Sequence, residues 1–128
     1  MSLSPALLSA LACVVMSCLA QLFMRQGMLK AAQIAASEKL PSVYQVAFLQ
    51  PWVWAGLALY GASAIIWLWV LSRVPVSTAY PLVSLGFVLT MVGGIWWLGE
   101  PFSWFKLAGC LLIVLGVALL CFDLQKTL

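Results

Sequence analysis

The sequence predicts an all-α membrane protein built from four transmembrane helices. Two observations carry the prediction. Of the 128 residues, 66% are hydrophobic and only 7% are charged, against about 25% charged in an ordinary soluble domain. Mean hydropathy is +1.15, and a soluble domain of this size has too few charged side chains to cover so much apolar surface, so the bilayer is its solvent. The second observation is length. A hydrocarbon core near 30 Å takes about 20 helical residues, so the chain holds four spans with short connections and no soluble domain. The spans lack the strict polar–apolar alternation of a membrane β-barrel.

Span 1 runs from about Pro5 to Met24, uncharged until Arg25. No Lys or Arg precedes it, so it lacks the basic flank of a signal peptide and is expected to be retained. Span 2 covers Trp52 to Leu71 and stops at Arg73. Span 3 covers Val76 to Leu98, just after Pro75, which is tolerated at a helix start. Span 4 covers about Phe102 to Phe122 and ends at Asp123 and Lys126. Lys106 lies in its first turn, where it can snorkel to the headgroups.

The connections fix the packing order. Only Ser72 to Pro75 separate spans 2 and 3, and Gly99-Glu100-Pro101 turns span 3 into span 4, so these spans are antiparallel neighbours. The first connection, Arg25 to Pro51, is longer; its Ala-rich part, Lys30 to Lys39, can extend helix 1 beyond the bilayer, and Val43 to Leu49 can lie at the interface. The seven Trp fall mostly near span ends, as an aromatic belt requires. One side carries Arg25, Lys30, Lys39 and Lys106, and the other Arg73 and Lys126. That bias puts connections 1 and 3 in the cytoplasm and both termini outside.

Several function classes fall away. The chain has no His, which removes His-based catalysis and His-ligated metal sites. It has no P-loop. The six basic residues are scattered, unlike a nucleic-acid footprint. Cys13, Cys18, Cys110 and Cys121 stand in apolar runs without a CxxC pair and read as packing residues. No enzymatic activity, metal or cofactor is expected.

Polar groups inside a membrane span are functional candidates by default. No span carries a charged residue at its middle. Span 1 instead carries Ser9, Cys13, Ser17, Gln21 and Arg25 at four-residue spacing, on one broad helix face. That face reads either as a mildly polar wall ending in a cation or as close helix packing by small residues. Span 3 places Tyr80 before Pro81, where the missing amide hydrogen frees the Ser77 carbonyl. It reads as a deformable element beside a substrate cavity or as a static kink; Ser84 and Gly86 continue it. In span 4, Gly109 and Gly116 share a face that another backbone can approach closely.

These residues resemble the drug/metabolite transporter superfamily in its short four-helix form. Val74-Pro75-Val-Ser-Thr-Ala-Tyr80 is similar to the IPTGIAY stretch of small multidrug resistance proteins. Gly109 to Val117 is similar to their helix-4 dimerisation motif. Those exporters carry an essential Glu in helix 1, two turns before a basic residue; the matching position here is Ser17. The tracts Tyr80 to Val88, Ala20-Gln21-Leu22 and Gly99-Glu100-Pro101 instead resemble the paired small subunits of the 4-amino-4-deoxy-L-arabinose–phosphoundecaprenol flippase.

That resemblance implies a bacterial inner-membrane protein, a lipid-linked aminosugar phosphate as substrate, and a role in lipid A modification and polymyxin resistance. It implies a dimer, either with a sister four-helix subunit or with a second copy, meeting at Gly109 and Gly116. Ser17, Gln21, Tyr80 and Ser84 are then the groups that replace headgroup hydration, and Arg25 and Lys106 those that grip the phosphate. Glu100 reads first as an exposed turn residue, and second as a group that attracts a sugar amine. A multidrug-type exporter and a non-transporting accessory subunit are the competing readings.

Overall fold

The computed structural model describes residues 5–39 and 42–127, with side chains as far as Leu120 and at Phe122. Cys121, read above as a packing residue, and Asp123 and Lys126, read as the end of span 4, lie outside the described side chains. The described residues form five helices: α1 (Pro5–Ser37), α2 (Val43–Ala47), α3 (Pro51–Leu71), α4 (Val76–Trp96) and α5 (Trp104–Thr127). Three of them, α1, α3 and α4, are long and apolar enough to cross a membrane, and Trp104–Leu120 of α5 forms a shorter apolar helix.

Helix α1 has 33 residues, about 50 Å at the α-helical rise. That exceeds a hydrocarbon core near 30 Å, so its C-terminal turns stand beyond the bilayer. There Ala31 and Ala35 pack on Val46 and Ala47 of α2, with Met28, Val43 and Val53 around them. The expected extension of helix 1 through the Ala-rich tract is therefore present, and α2 folds back onto it. Lys39, with φ 51°, follows the end of α1.

The interior is made of small side chains. The buried residues of α1 are Ala10, Cys13, Val14, Cys18, Ala20, Leu22, Gly27, Ala31 and Ala35, while Leu8, Val15 and Leu19 face outward. This inverts the soluble pattern, because lipid solvates Leu as well as a core does and helices associate by close approach. The closest approach to a neighbouring backbone is at Gly56 of α3, where a Cβ would lie 2.7 Å from the Ala20 carbonyl oxygen and 2.6 Å from Met24 Cγ. Cys13 Sγ donates to the Ser63 carbonyl (3.4 Å) and Cys18 Sγ to the Gly86 carbonyl (3.3 Å), so these thiols do join helices as packing groups.

Helix α1 packs along both α3 and α4, which touch each other little, and α5 packs on α4. Cys110 of α5 meets Met91 of α4 at 3.4 Å, and Val117 is buried. Gly109 and Gly116 stand about 100° around the helix from Cys110 and Val117, and a Cβ at either meets nothing within 4 Å.

The helix ends differ from the predicted spans around the third turn. Helix α4 stops at Trp96, not Leu98, because Gly99 takes φ 67° and the Leu98 and Glu100 amides both donate to the Gly94 carbonyl. Helix α5 starts at Trp104, not Phe102, and its first turn closes from the Leu107 amide to the Ser103 carbonyl. At Pro81 the helix continues without a break, and Ser84 Oγ donates to the Pro81 carbonyl.

Candidate functional site

Two polar regions stand on the α1 face predicted from the sequence, one at mid-depth and one at the end where α1 leaves the bilayer. The deeper one is a cavity of about 200 Å³ between α1, α3 and α4. Cys13, Val14 and Ser17 line it from α1; Tyr60, Ser63, Ala64 and Trp67 from α3; Tyr80 and Val83 from α4.

Its chemistry is neutral throughout. Ser17 Oγ donates to the Val14 carbonyl (2.9 Å) and Ser63 Oγ to the Tyr60 carbonyl (2.7 Å). Each hydroxyl thus donates its one proton to its own helix and keeps only acceptor capacity. Tyr60 and Tyr80 are exposed and bring phenol groups that both donate and accept. Trp67 and Val83 supply apolar wall. The lining contains no carboxylate and no cation.

The second region is built by the turn after α4. Gly99's left-handed backbone folds the chain back so that the Glu100 amide donates to the Gly94 carbonyl (3.0 Å). The carboxylate then lies across α4 at Gly94, where a Cβ would stand 3.0 Å from Oε2. From there Glu100 Oε1 accepts from Arg25 Nε at 3.3 Å, with the side chains 34% and 54% exposed respectively. The contact is single and longer than a tight charge-assisted hydrogen bond of about 2.8 Å. A pair this exposed is worth at most about 1 kcal/mol.

Aromatic side chains brace this end. Phe23, Trp52 and Trp97 form a triad with ring centroids 5.4–6.0 Å apart, all edge to face. Lys30 Nζ stands 5.2 Å from the Trp52 ring centroid, a cation–π contact. At the opposite end Arg73 lies over Trp69 at 5.6 Å. Both ends therefore carry the Trp-plus-cation anchors of a headgroup belt.

The predicted site residues divide among these regions. Ser17 and Tyr80 meet in the cavity. Gln21 is exposed on α1 between Ser17 and Arg25. Eight residues of helix separate Ser17 from Arg25, about 12 Å of rise. Ser84 is half-buried, bonded to the Pro81 carbonyl and outside the cavity lining. Lys106 is exposed on α5. Arg25–Glu100 is the ion pair among the described residues, so Arg25 and Lys106 do not share a partner.

One expectation changes. Glu100 is half-buried and paired, not a simple exposed turn residue, because Gly94 leaves room for its side chain against α4. Lys30, at the start of the Ala-rich tract, is half-buried over Trp52. Sequence reading also passed over Tyr60, Ser63 and Trp67. Their signal was present: positions 60, 63 and 67 repeat at helical spacing, and Tyr60 places a polar-tipped aromatic near the middle of span 2.

Comparison with known proteins agrees with this architecture. The EamA-like transporter family matches residues 2–122. A probable 4-amino-4-deoxy-L-arabinose-phosphoundecaprenol flippase subunit ArnF from Erwinia tasmaniensis is 39% identical over 124 residues, covering 94% of this chain and 98% of that protein. A protein of the same name from Shewanella sediminis is 39% identical over 121 residues, covering 87% and 83%. A probable subunit ArnE of the same flippase from Sodalis glossinidius is 48% identical over 66 residues, covering 52% and 60%. No solved structure matches the chain.

Proposed function

We propose, from the premise that this chain belongs to the EamA-like transporter family, that it is one subunit of a flippase carrying an undecaprenyl-phosphate-linked aminosugar across the bacterial inner membrane. The relatives that align along nearly their whole length are named ArnF, and the ArnE-named one aligns over about half of this chain. The reading is therefore the ArnF-type subunit, paired with an ArnE-type sister.

One structural observation carries the substrate class: every residue lining the mid-depth cavity is uncharged, and the polar ones are hydroxyls and a thiol. A cavity for cationic drugs needs a counter-charge, since an unpaired buried charge is strongly disfavoured. Sugar hydroxyls need the opposite, neutral donors and acceptors that replace water while the lipid tail stays in hydrocarbon. Ser17, Ser63, Tyr60 and Tyr80 provide these, and Gln21 and Arg25 continue the track to the headgroup surface.

The proposed architecture has four spans, with Trp104 onward of α5 as the fourth. The end bearing Arg25, Lys30, Lys39 and Lys106 faces the cytoplasm, so the headgroup loads beside Arg25. A sister subunit seats on the open Gly109–Gly116 face of α5 and closes the transport cavity.

The test is reconstitution in cells lacking both flippase subunits. Expressing this chain with an ArnE-type partner should restore aminoarabinose on lipid A, read by mass spectrometry, together with polymyxin survival. The chain alone should not. Restoration by the partner without this chain, or export of cationic dyes by this chain alone, sinks the reading.

A further inference from the structure

We infer that the Arg25–Glu100 pair is the recognition site for both charges of a zwitterionic headgroup: Glu100 takes the ammonium and Arg25 the phosphate. The inference rests on the flippase reading and adds to it the residues that select a free amine.

The geometry of the pair argues for exchange and not for permanent structure. Arg25 uses only Nε toward Glu100, and through a 3.3 Å contact. Both terminal amino groups of the guanidinium remain for a phosphate, which they can hold through two parallel hydrogen bonds. Glu100 engages the arginine through Oε1 alone. Its own backbone amide is already satisfied by the Gly94 carbonyl, so the turn stays in place when the carboxylate changes partner. The apo protein thus holds two opposite charges beside each other, and a ligand carrying both charges can replace each half of the pair with one of its own.

The position fits a loading site. Glu100 follows Trp97 by three residues and Arg25 follows Phe23 by two, so the pair stands at the level of the Phe23–Trp52–Trp97 triad, where aromatic rings mark the headgroup region. Lys30, further along α1, is held over Trp52. Among the described residues Arg25 is the cation in ion-pair contact with Glu100, and the length of that contact makes it exchangeable. The neutral cavity lies two helical turns deeper along the same α1 face, through Gln21.

Gly94 is a positioning residue in this arrangement. A Cβ there would stand 3.0 Å from Oε2 and 3.3 Å from Cδ of Glu100. Alanine shifts the carboxylate by a few tenths of an ångström without altering any charge.

The experiment measures binding of two lipids to the full chain with its partner subunit in nanodiscs. One probe is a polyprenyl-phosphate-linked 4-amino sugar with a free amine; the other is the same lipid with its amine acylated. Wild type should prefer the free amine on the order of tenfold, the discrimination expected of one hydrogen bond to a charged group. Glu100→Gln should remove the preference by weakening the free-amine lipid to the level of the acylated one, whose binding stays unchanged. Gly94→Ala should reduce the preference in the same direction with both charges intact. Arg25→Gln should weaken both lipids alike. A purely structural pair predicts instead that Glu100→Gln lowers both lipids equally or neither, and that result overturns the inference while leaving the flippase reading standing. Failure of wild type to bind either lipid overturns both.

Discussion

The tightest helix-to-backbone contact of the bundle gives the sharpest stability prediction. Gly56 and Gly61 both lie in α3, yet their surroundings are opposite. A Cβ at Gly56 meets Met24 Cγ at 2.6 Å, the Ala20 carbonyl oxygen at 2.7 Å and the Met24 amide nitrogen at 3.0 Å; a Cβ at Gly61 meets nothing within 4 Å. Gly→Ala inside a helix gains up to about 1 kcal/mol from propensity, and both substitutions receive it. Forcing a methyl into a closed contact costs about 1–3 kcal/mol, and only Gly56→Ala incurs that. Gly56→Ala should therefore be destabilised by up to about 2 kcal/mol net, with Gly61→Ala unchanged or slightly more stable. The flexible Met24 side chain can move aside, but the Ala20 carbonyl belongs to the α1 backbone. Met24→Ala on top of Gly56→Ala should consequently recover only part of the loss. Unfolding by SDS titration from mixed micelles, followed by tryptophan fluorescence, reads all four proteins. Equal midpoints for the two glycine variants, or full rescue by Met24→Ala, would refute the α1–α3 contact as described.

Other substitutions separate fold from function. Gly116→Leu should leave the unfolding midpoint near wild type, since the site is open, yet weaken association with a second chain by about 1–3 kcal/mol, measured by crosslinking yield in bilayers against Gly61→Leu. Ser17→Ala and Tyr80→Phe should each lower polymyxin survival at equal protein level, while Ser84→Ala, outside the cavity lining, should have less effect. Arg25→Lys should impair survival and Arg25→Ala more so, because a lysine offers a point charge where the guanidinium offers a fork; Lys39→Ala should be near normal. A silent Arg25→Lys assigns Arg25 to simple membrane anchoring. Neutralising Glu38, exposed just past the end of α1, should leave survival intact.

What the sequence displayed and what it hid follow from the physics of each feature. The apolar helices were legible because hydropathy is a sum over residues in order. The stripe Ser17–Gln21–Arg25 was legible because helical periodicity maps spacing onto a face. The partner of Arg25 was not, since it stands 75 residues away and reaches α1 only through the backbone at Gly99 and the absent side chain at Gly94. The α3 wall of the cavity was overlooked for another reason. Tyr60, Ser63 and Trp67 sit in a span whose Trp residues suggested a belt, and belt and cavity residues differ in depth and facing direction, not in type. Gly56 likewise gives no local signal that sets it apart from Gly61.

The distribution of charge bears on how a headgroup could cross. Arg25 and Glu100 hold fixed charges at one end, Arg73 stands at the other, and the cavity between has none. A net-charged headgroup entering that cavity would lose its hydration against neutral walls, a large penalty in a low-dielectric medium. A zwitterion enters more easily, because its ammonium and phosphate compensate each other and its remaining polarity is hydroxyl-like. Selecting the free amine at the mouth is then more than recognition: it admits only substrates whose charges cancel. The acylated lipid carries an uncompensated phosphate, so it should be held back in the crossing step even where Arg25 binds it. In proteoliposomes carrying both subunits, the acylated lipid should flip more slowly than its occupancy of the site predicts. A ratio of flipping rates no larger than the ratio of occupancies would remove the cavity from the selection and leave the mouth as its sole source.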